Sequence, residues 1–186
     1  MNEMQRRAFM QGAALGALAF TVGGVEVMLT PRQAHAQNIP LRTLTPDRGA
    51  TLDAVGETLV PGAKAAGVTN FVDQQISVPP EQSLLQARIL SMRPPYANFY
   101  RAALGAIDGA SNSSKGKKFA ELTPDEQHDF ISLMRQNKID GWQGPPSPFV
   151  FNVLRGDAVD VVCATMDGYA ALGVPYMPHI APTRKW

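Results

Sequence analysis

Leu122-Thr123-Pro124-Asp125-Glu126-Gln127-His128-Asp129-Phe130-Ile131-Ser132-Leu133-Met134 is the stretch that decides the fold class. Thr123 with Glu126 three residues on is a capping box, in which side chain and backbone satisfy each other's orphan groups. Pro124 suits the first helical turn, where its missing N–H costs nothing. Asp125 and Glu126 favour the positive end of the helix dipole. Phe130, Ile131, Leu133 and Met134 then supply an apolar face at helical spacing. Leu44-Thr45-Pro46-Asp47 repeats the same start, and Leu52, Val55, Leu59 and Val60 repeat the face. The pair is one helix-start chemistry used twice, not an internal repeat.

Working outward, proline and glycine cut the rest into short helices. Val60-Pro61-Gly62-Ala63 stops the first. A second runs from about Asn70 to Ile76, on Phe71 and Ile76, and ends at Val78-Pro79-Pro80. A third covers Gln82 to Met92 with Leu84, Leu85, Ile89 and Met92 inward, up to Pro94-Pro95. The fourth spans Tyr96 to Ala110 on Phe99, Tyr100, Ala103, Leu104 and Ile107; Ser111 to Lys118 reads as a solvated loop. The Thr123 helix is the fifth. Gly141 to Pro148 is a connection, and a sixth helix follows over about Phe149 to Ala170 on Phe149, Val153, Leu154, Val161 and Val162. No segment alternates over a strand length. Val159 to Cys163 comes nearest, but lies inside a helical pattern. The expectation is an all-α domain, an irregular bundle of about six short helices over residues 37–172, with an extended proline-rich tail over 173–186.

Residues 1–36 read as an export address. Arg6 and Arg7 stand side by side, Phe9 follows two positions later, and Ala13 to Leu29 is mildly apolar. The stretch is glycine-rich and interrupted by Glu26, too weak for a membrane span of about 20 apolar residues. The pattern favours a twin-arginine signal over a general secretory signal or an anchor. Ala34-His35-Ala36 offers the small-x-small pattern of a cleavage site, which predicts a mature start at Gln37. The twin-arginine route carries folded cargo. The predicted location is therefore periplasmic, and the translocase is one predicted partner.

Basic and acidic side chains balance over 37–186, so nothing attracts nucleic acid, whose binding rests on a basic surface. Cys163 is the single cysteine. It excludes an internal disulfide, C-x-x-C-H haem attachment, iron–sulfur ligation and cysteine zinc sites, and among Val161, Val162 and Met166 it reads as a buried thiol. There is no G-x-G-x-x-G after a strand, no P-loop and no G-x-S-x-G elbow. His128 lies beside Asp125, Glu126 and Asp129, a solvated acidic turn more than a metal cluster. Asp157 and Asp160 are neighbours at helical spacing and could serve as acid and base, but read as a wet face. The expectation is no catalytic residue, no metal site and no cofactor in this chain.

Leu122 to Gln127 with its helix, the helix opening at Pro148-Phe149, and Gly168-Tyr169-Ala170-Ala171-Leu172-Gly173-Val174-Pro175-Tyr176-Met177 together resemble the gluconate 2-dehydrogenase subunit 3 family. The resemblance implies a small, non-catalytic subunit of a membrane-associated dehydrogenase acting on sugars, sugar acids or polyols. FAD sits in a large glucose–methanol–choline type partner, and a multihaem cytochrome c often completes the complex. The large subunit then leaves the cytoplasm attached to the signal-bearing small one. The competing readings are a free periplasmic chaperone or binding module, and an enzyme whose site escapes inspection.

The tail supplies the predicted interface. Pro175, Pro178 and Pro182 forbid a helix. Tyr169, Val174, Pro175, Tyr176, Met177, His179, Ile180 and Trp186 are the candidate docking residues, in a segment too apolar for a merely disordered end. The tail either packs back on its own helices or lies along the large subunit.

Overall fold

The computed structural model describes residues 16–173. Arg6, Arg7 and Phe9 lie outside the described residues, as do Val174, Pro175, Tyr176, Met177, His179, Ile180 and Trp186.

The first element corrects the all-α expectation. Strands β1 (Leu18–Val22) and β2 (Val25–Leu29) pair antiparallel, with Leu18 opposite Leu29 and Val22 opposite Val25. Gly23 and Gly24 form the two-residue turn with φ of 57° and 83°. Two positive φ values in succession are what a type I′ hairpin needs, and glycine reaches them without a Cβ clash. The signal Val22-Gly23-Gly24-Val25 was present in the sequence, but it lay in the stretch read as an address.

Eight α-helices follow among the described residues. They are α1 (Pro31–Ala36), α2 (Pro46–Leu59), α3 (Val68–Ile76), α4 (Gln86–Ile89), α5 (Tyr96–Lys115), α6 (Pro124–Arg135), α7 (Ser147–Cys163) and α8 (Met166–Ala171). The predicted caps form. Thr45 Oγ1 accepts from the Arg48 N–H at 3.4 Å. Thr123 and Glu126 close the reciprocal box, with Thr123 N–H donating to Glu126 Oε2 at 3.0 Å. Three boundaries differ. The third predicted helix shrinks to α4, behind a 3-10 turn at Pro80–Gln82. α5 runs on to Lys115, because Ser111 is fully buried and its hydroxyl donates to the Lys117 carbonyl at 2.8 Å. The sixth predicted helix breaks after Cys163 and restarts at α8, where Thr165 Oγ1 accepts from the Gly168 N–H at 3.0 Å. Val159 to Cys163 is helical, within α7.

One main core joins α2, α3, α5, α6 and α7. Leu52, Val55, Val72, Tyr100, Leu104, Ile107, Phe119, Met134, Val150, Val153 and Leu154 are almost wholly removed from water in it. Burying a side chain of this size contributes about 1.5–3 kcal/mol. Phe99 meets Tyr100 and Phe149 edge-on, at centroid distances of 5.3 and 5.7 Å. A second, smaller cluster joins Phe20, Leu29, Ala34 and Ile39. Helix α3 is unusual in burying its polar side chains: Asn70, Asp73, Gln74 and Gln75 are all below a tenth exposed. Asp73 repays that cost by accepting three backbone N–H groups, from Arg42, Thr43 and Leu44, at 2.6, 2.9 and 2.7 Å.

Candidate functional site

Two features outside ordinary packing stand out, a buried acid cluster that holds the segment 83–90 through Gln86 and an aliphatic surface on that same segment. A 3-10 turn at Pro80–Gln82 leads into this segment, and only Gln86–Ile89 within it is α-helical. The segment is stapled down by side chains from elsewhere. Gln75 Oε1 accepts the Leu84 N–H at 2.6 Å. Asp157 Oδ1 on α7 accepts the Gln86 N–H at 2.9 Å, at the start of α4. Gln86 Nε2 donates to Asp160 Oδ2 at 2.9 Å. Gly156 lies beneath Gln86, where a Cβ would overlap its side chain.

Asp157 is the centre of the cluster. The sequence placed it on a wet face; it is 0% exposed. Tyr100, also sealed from water, donates its hydroxyl to Asp157 Oδ2 at 2.6 Å. Burial pushes the Asp157 carboxyl up to about 7, against the opposing pull of the Tyr100 and Gln86 donors. Burial and the adjacent acid together hold the Tyr100 hydroxyl well above the ordinary tyrosine range. A carboxyl poised near neutrality suits acid–base catalysis where a substrate can reach it. Here both groups are enclosed by their own chain. Their work is to tie α4, α5 and α7 together.

Pinning Leu85 and Ala87 inward turns the other aliphatic side chains out. Leu84 is 54% exposed, Ile89 65% and Leu90 48%. Leu84 and Ile89 were expected inside. Val159, next to Asp160 on α7, and Leu172, after α8, are also exposed. Of the docking residues proposed from sequence, Tyr169 lies within the described residues, half-buried on α8.

The other candidates disperse. His128 is exposed on α6 and edges an open groove of about 260 Å³ with Ile131, Ser132, Arg135 and Phe151. Among the described residues no three His, Cys, Asp or Glu side chains gather into a metal-binding group. Cys163 is half-buried at the end of α7. No described helix is long and apolar enough to cross a membrane. Ala34 is wholly buried in α1, while Ala36 and Gln37 are exposed at its end.

No curated protein and no solved structure matches this chain. A family profile described as gluconate 2-dehydrogenase subunit 3 matches residues 46–178, which takes in everything from the first turn of α2 to beyond α8. The chain therefore belongs to the gluconate 2-dehydrogenase subunit 3 family, the accessory subunits of dehydrogenase complexes.

Proposed function

We propose that the chain is the non-catalytic small subunit of an exported, FAD-dependent dehydrogenase acting on sugars, sugar acids or polyols. In this reading it supplies the twin-arginine signal and stabilises a large flavin-bearing subunit of the glucose–methanol–choline type. Family membership is the observation that carries the proposal. The outward aliphatic side chains of Leu84, Ile89 and Leu90 support it, since three large apolar groups exposed within one short segment leave surface that a partner would cover. FAD belongs to the large subunit, and haem c to a third subunit where one is present. A single cysteine gives this chain no C-x-x-C-H attachment of its own.

The test is purification of the tagged full chain from the membrane and periplasmic fractions of a native host. The expected result is a stoichiometric large subunit with a flavin absorption spectrum and sugar- or polyol-dependent dye reduction. A chain recovered alone, without flavin, would favour a free chaperone or binding module. Turnover by the chain alone would show it to be an enzyme.

A further inference from the structure

We infer that residues 16–36 remain part of the folded domain, and that the bond after Ala36 is not a processing site in the folded chain. The inference needs no particular partner; it rests on the export reading only for the peptidase that would otherwise act there.

The first ground is the helix end that spans this bond. Three backbone hydrogen bonds cross it. The Gln37 N–H donates to the Gln33 carbonyl, the Asn38 N–H to that of His35 and the Ile39 N–H to that of Ala34, each at 3.0 Å. Asn38 has φ of 51°. A left-handed residue with those last two bonds is a Schellman cap, and its usual apolar contact is present as Ala34 against Ile39. At the other end of α1, Thr30 Oγ1 accepts from the Gln33 N–H at 3.2 Å and Gln33 Oε1 accepts from the Thr30 N–H at 2.9 Å. Cleavage sites are exposed, extended segments. This bond instead lies in a closed cap, and the small residue of the motif at position 34 is 0% exposed.

The second ground is what the segment covers. Phe20, Leu29 and Ala34 share their core with Ile39, which lies beyond the predicted cut. Gln74 Nε2 on α3 donates to the Ala19 carbonyl of β1 at 3.3 Å. The Pro31 carbonyl occupies the space a Cβ would take at Gly67, just before α3, so α1 sits directly against that turn. Helix α3 packs against both α1 and β1. Removing residues 16–36 would strip an apolar cluster and uncover a helix whose polar side chains are now buried.

The experiment expresses the full chain in a host with a twin-arginine translocase, fractionates the cells and reads the N-terminus by intact mass and sequencing. An N-terminus at residue 18 or earlier in exported protein is expected; one at Gln37, or between 19 and 37, overturns the inference. Limited proteolysis of the purified chain is the second arm. Wild type should resist cutting across residues 18–37, and Phe20→Ala with Leu29→Ala should be cut there at least tenfold faster. Rapid wild-type cutting, or equal rates in the two proteins, overturns the inference, and the wild-type result stands even if the double variant does not fold. A chain found only in the cytoplasm would sink the export reading, and proteolysis alone would then decide this one.

Discussion

Asp157 keeps its proton to about pH 7 in the folded chain, because burial penalises the charged form more than its two donors stabilise it. In the unfolded chain an aspartate loses its proton near pH 4. Between those values the native state binds more protons, so stability is full below about pH 4 and falls as pH rises towards 7. Asp157→Asn removes the titration while keeping an acceptor for Gln86 N–H and a group that can donate to the Tyr100 oxygen. The expected outcome is a melting temperature that declines in wild type from pH 5 to pH 8 and stays nearly flat in the variant. Parallel curves would show that Asp157 is not the group responsible. Turnover of the assembled complex should stay within a few-fold in the same variant, since the side chain is enclosed by its own chain. Loss of a true acid or base costs about 10² to 10⁴ in rate.

At the scale of elements, legibility followed locality. The starts of α2 and α6 could be read because their signals are local: Thr45 caps Arg48 three residues on, and Thr123, Pro124 and Glu126 lie within four residues of one another. Asp157 could not be read, because its partners Tyr100 and Gln86 lie far away in sequence and meet it only through packing. The hairpin was written plainly in Gly23-Gly24 and its valine flanks, and the stronger export pattern around it hid it. Leu84 and Ile89 were misplaced because a four-residue helix follows its staples, not its periodicity. Their exposure makes a prediction. Leu84→Ser with Ile89→Ser removes aliphatic surface that already faces water, so the isolated subunit should keep its stability to within about 0.5 kcal/mol per site. Association with the large subunit should weaken by tenfold or more, about 1.4 kcal/mol, measured by titration of the separated subunits. Unchanged affinity would remove this surface from the interface. A large drop in melting temperature would show that the side chains serve the fold.

For the molecule as a whole, the proposed export role puts the decisive tests at its two ends. Deleting 174–186 should weaken association while leaving the helical circular dichroism of the subunit intact; equal loss of both would mean that the tail packs on its own helices. The N-terminal prediction reaches further. Twin-arginine export moves folded chains, and folded cargo is required when a cofactor is inserted before transport. This chain has no sequence motif for holding one, whereas a flavin subunit would. If the large subunit lacks a signal of its own, its passage depends on Arg6 and Arg7 of the small one. Lysine keeps the charge but not the planar guanidinium, so Arg6→Lys with Arg7→Lys tests recognition without altering net charge or any described part of the fold. The double variant should leave both subunits and the dehydrogenase activity in the cytoplasm, with an assembled, flavin-loaded complex still recoverable there. Periplasmic activity at the wild-type level would sink the hitch-hiker mechanism. Retention of the small subunit alone, with the large one exported, would show that the partner travels by its own route.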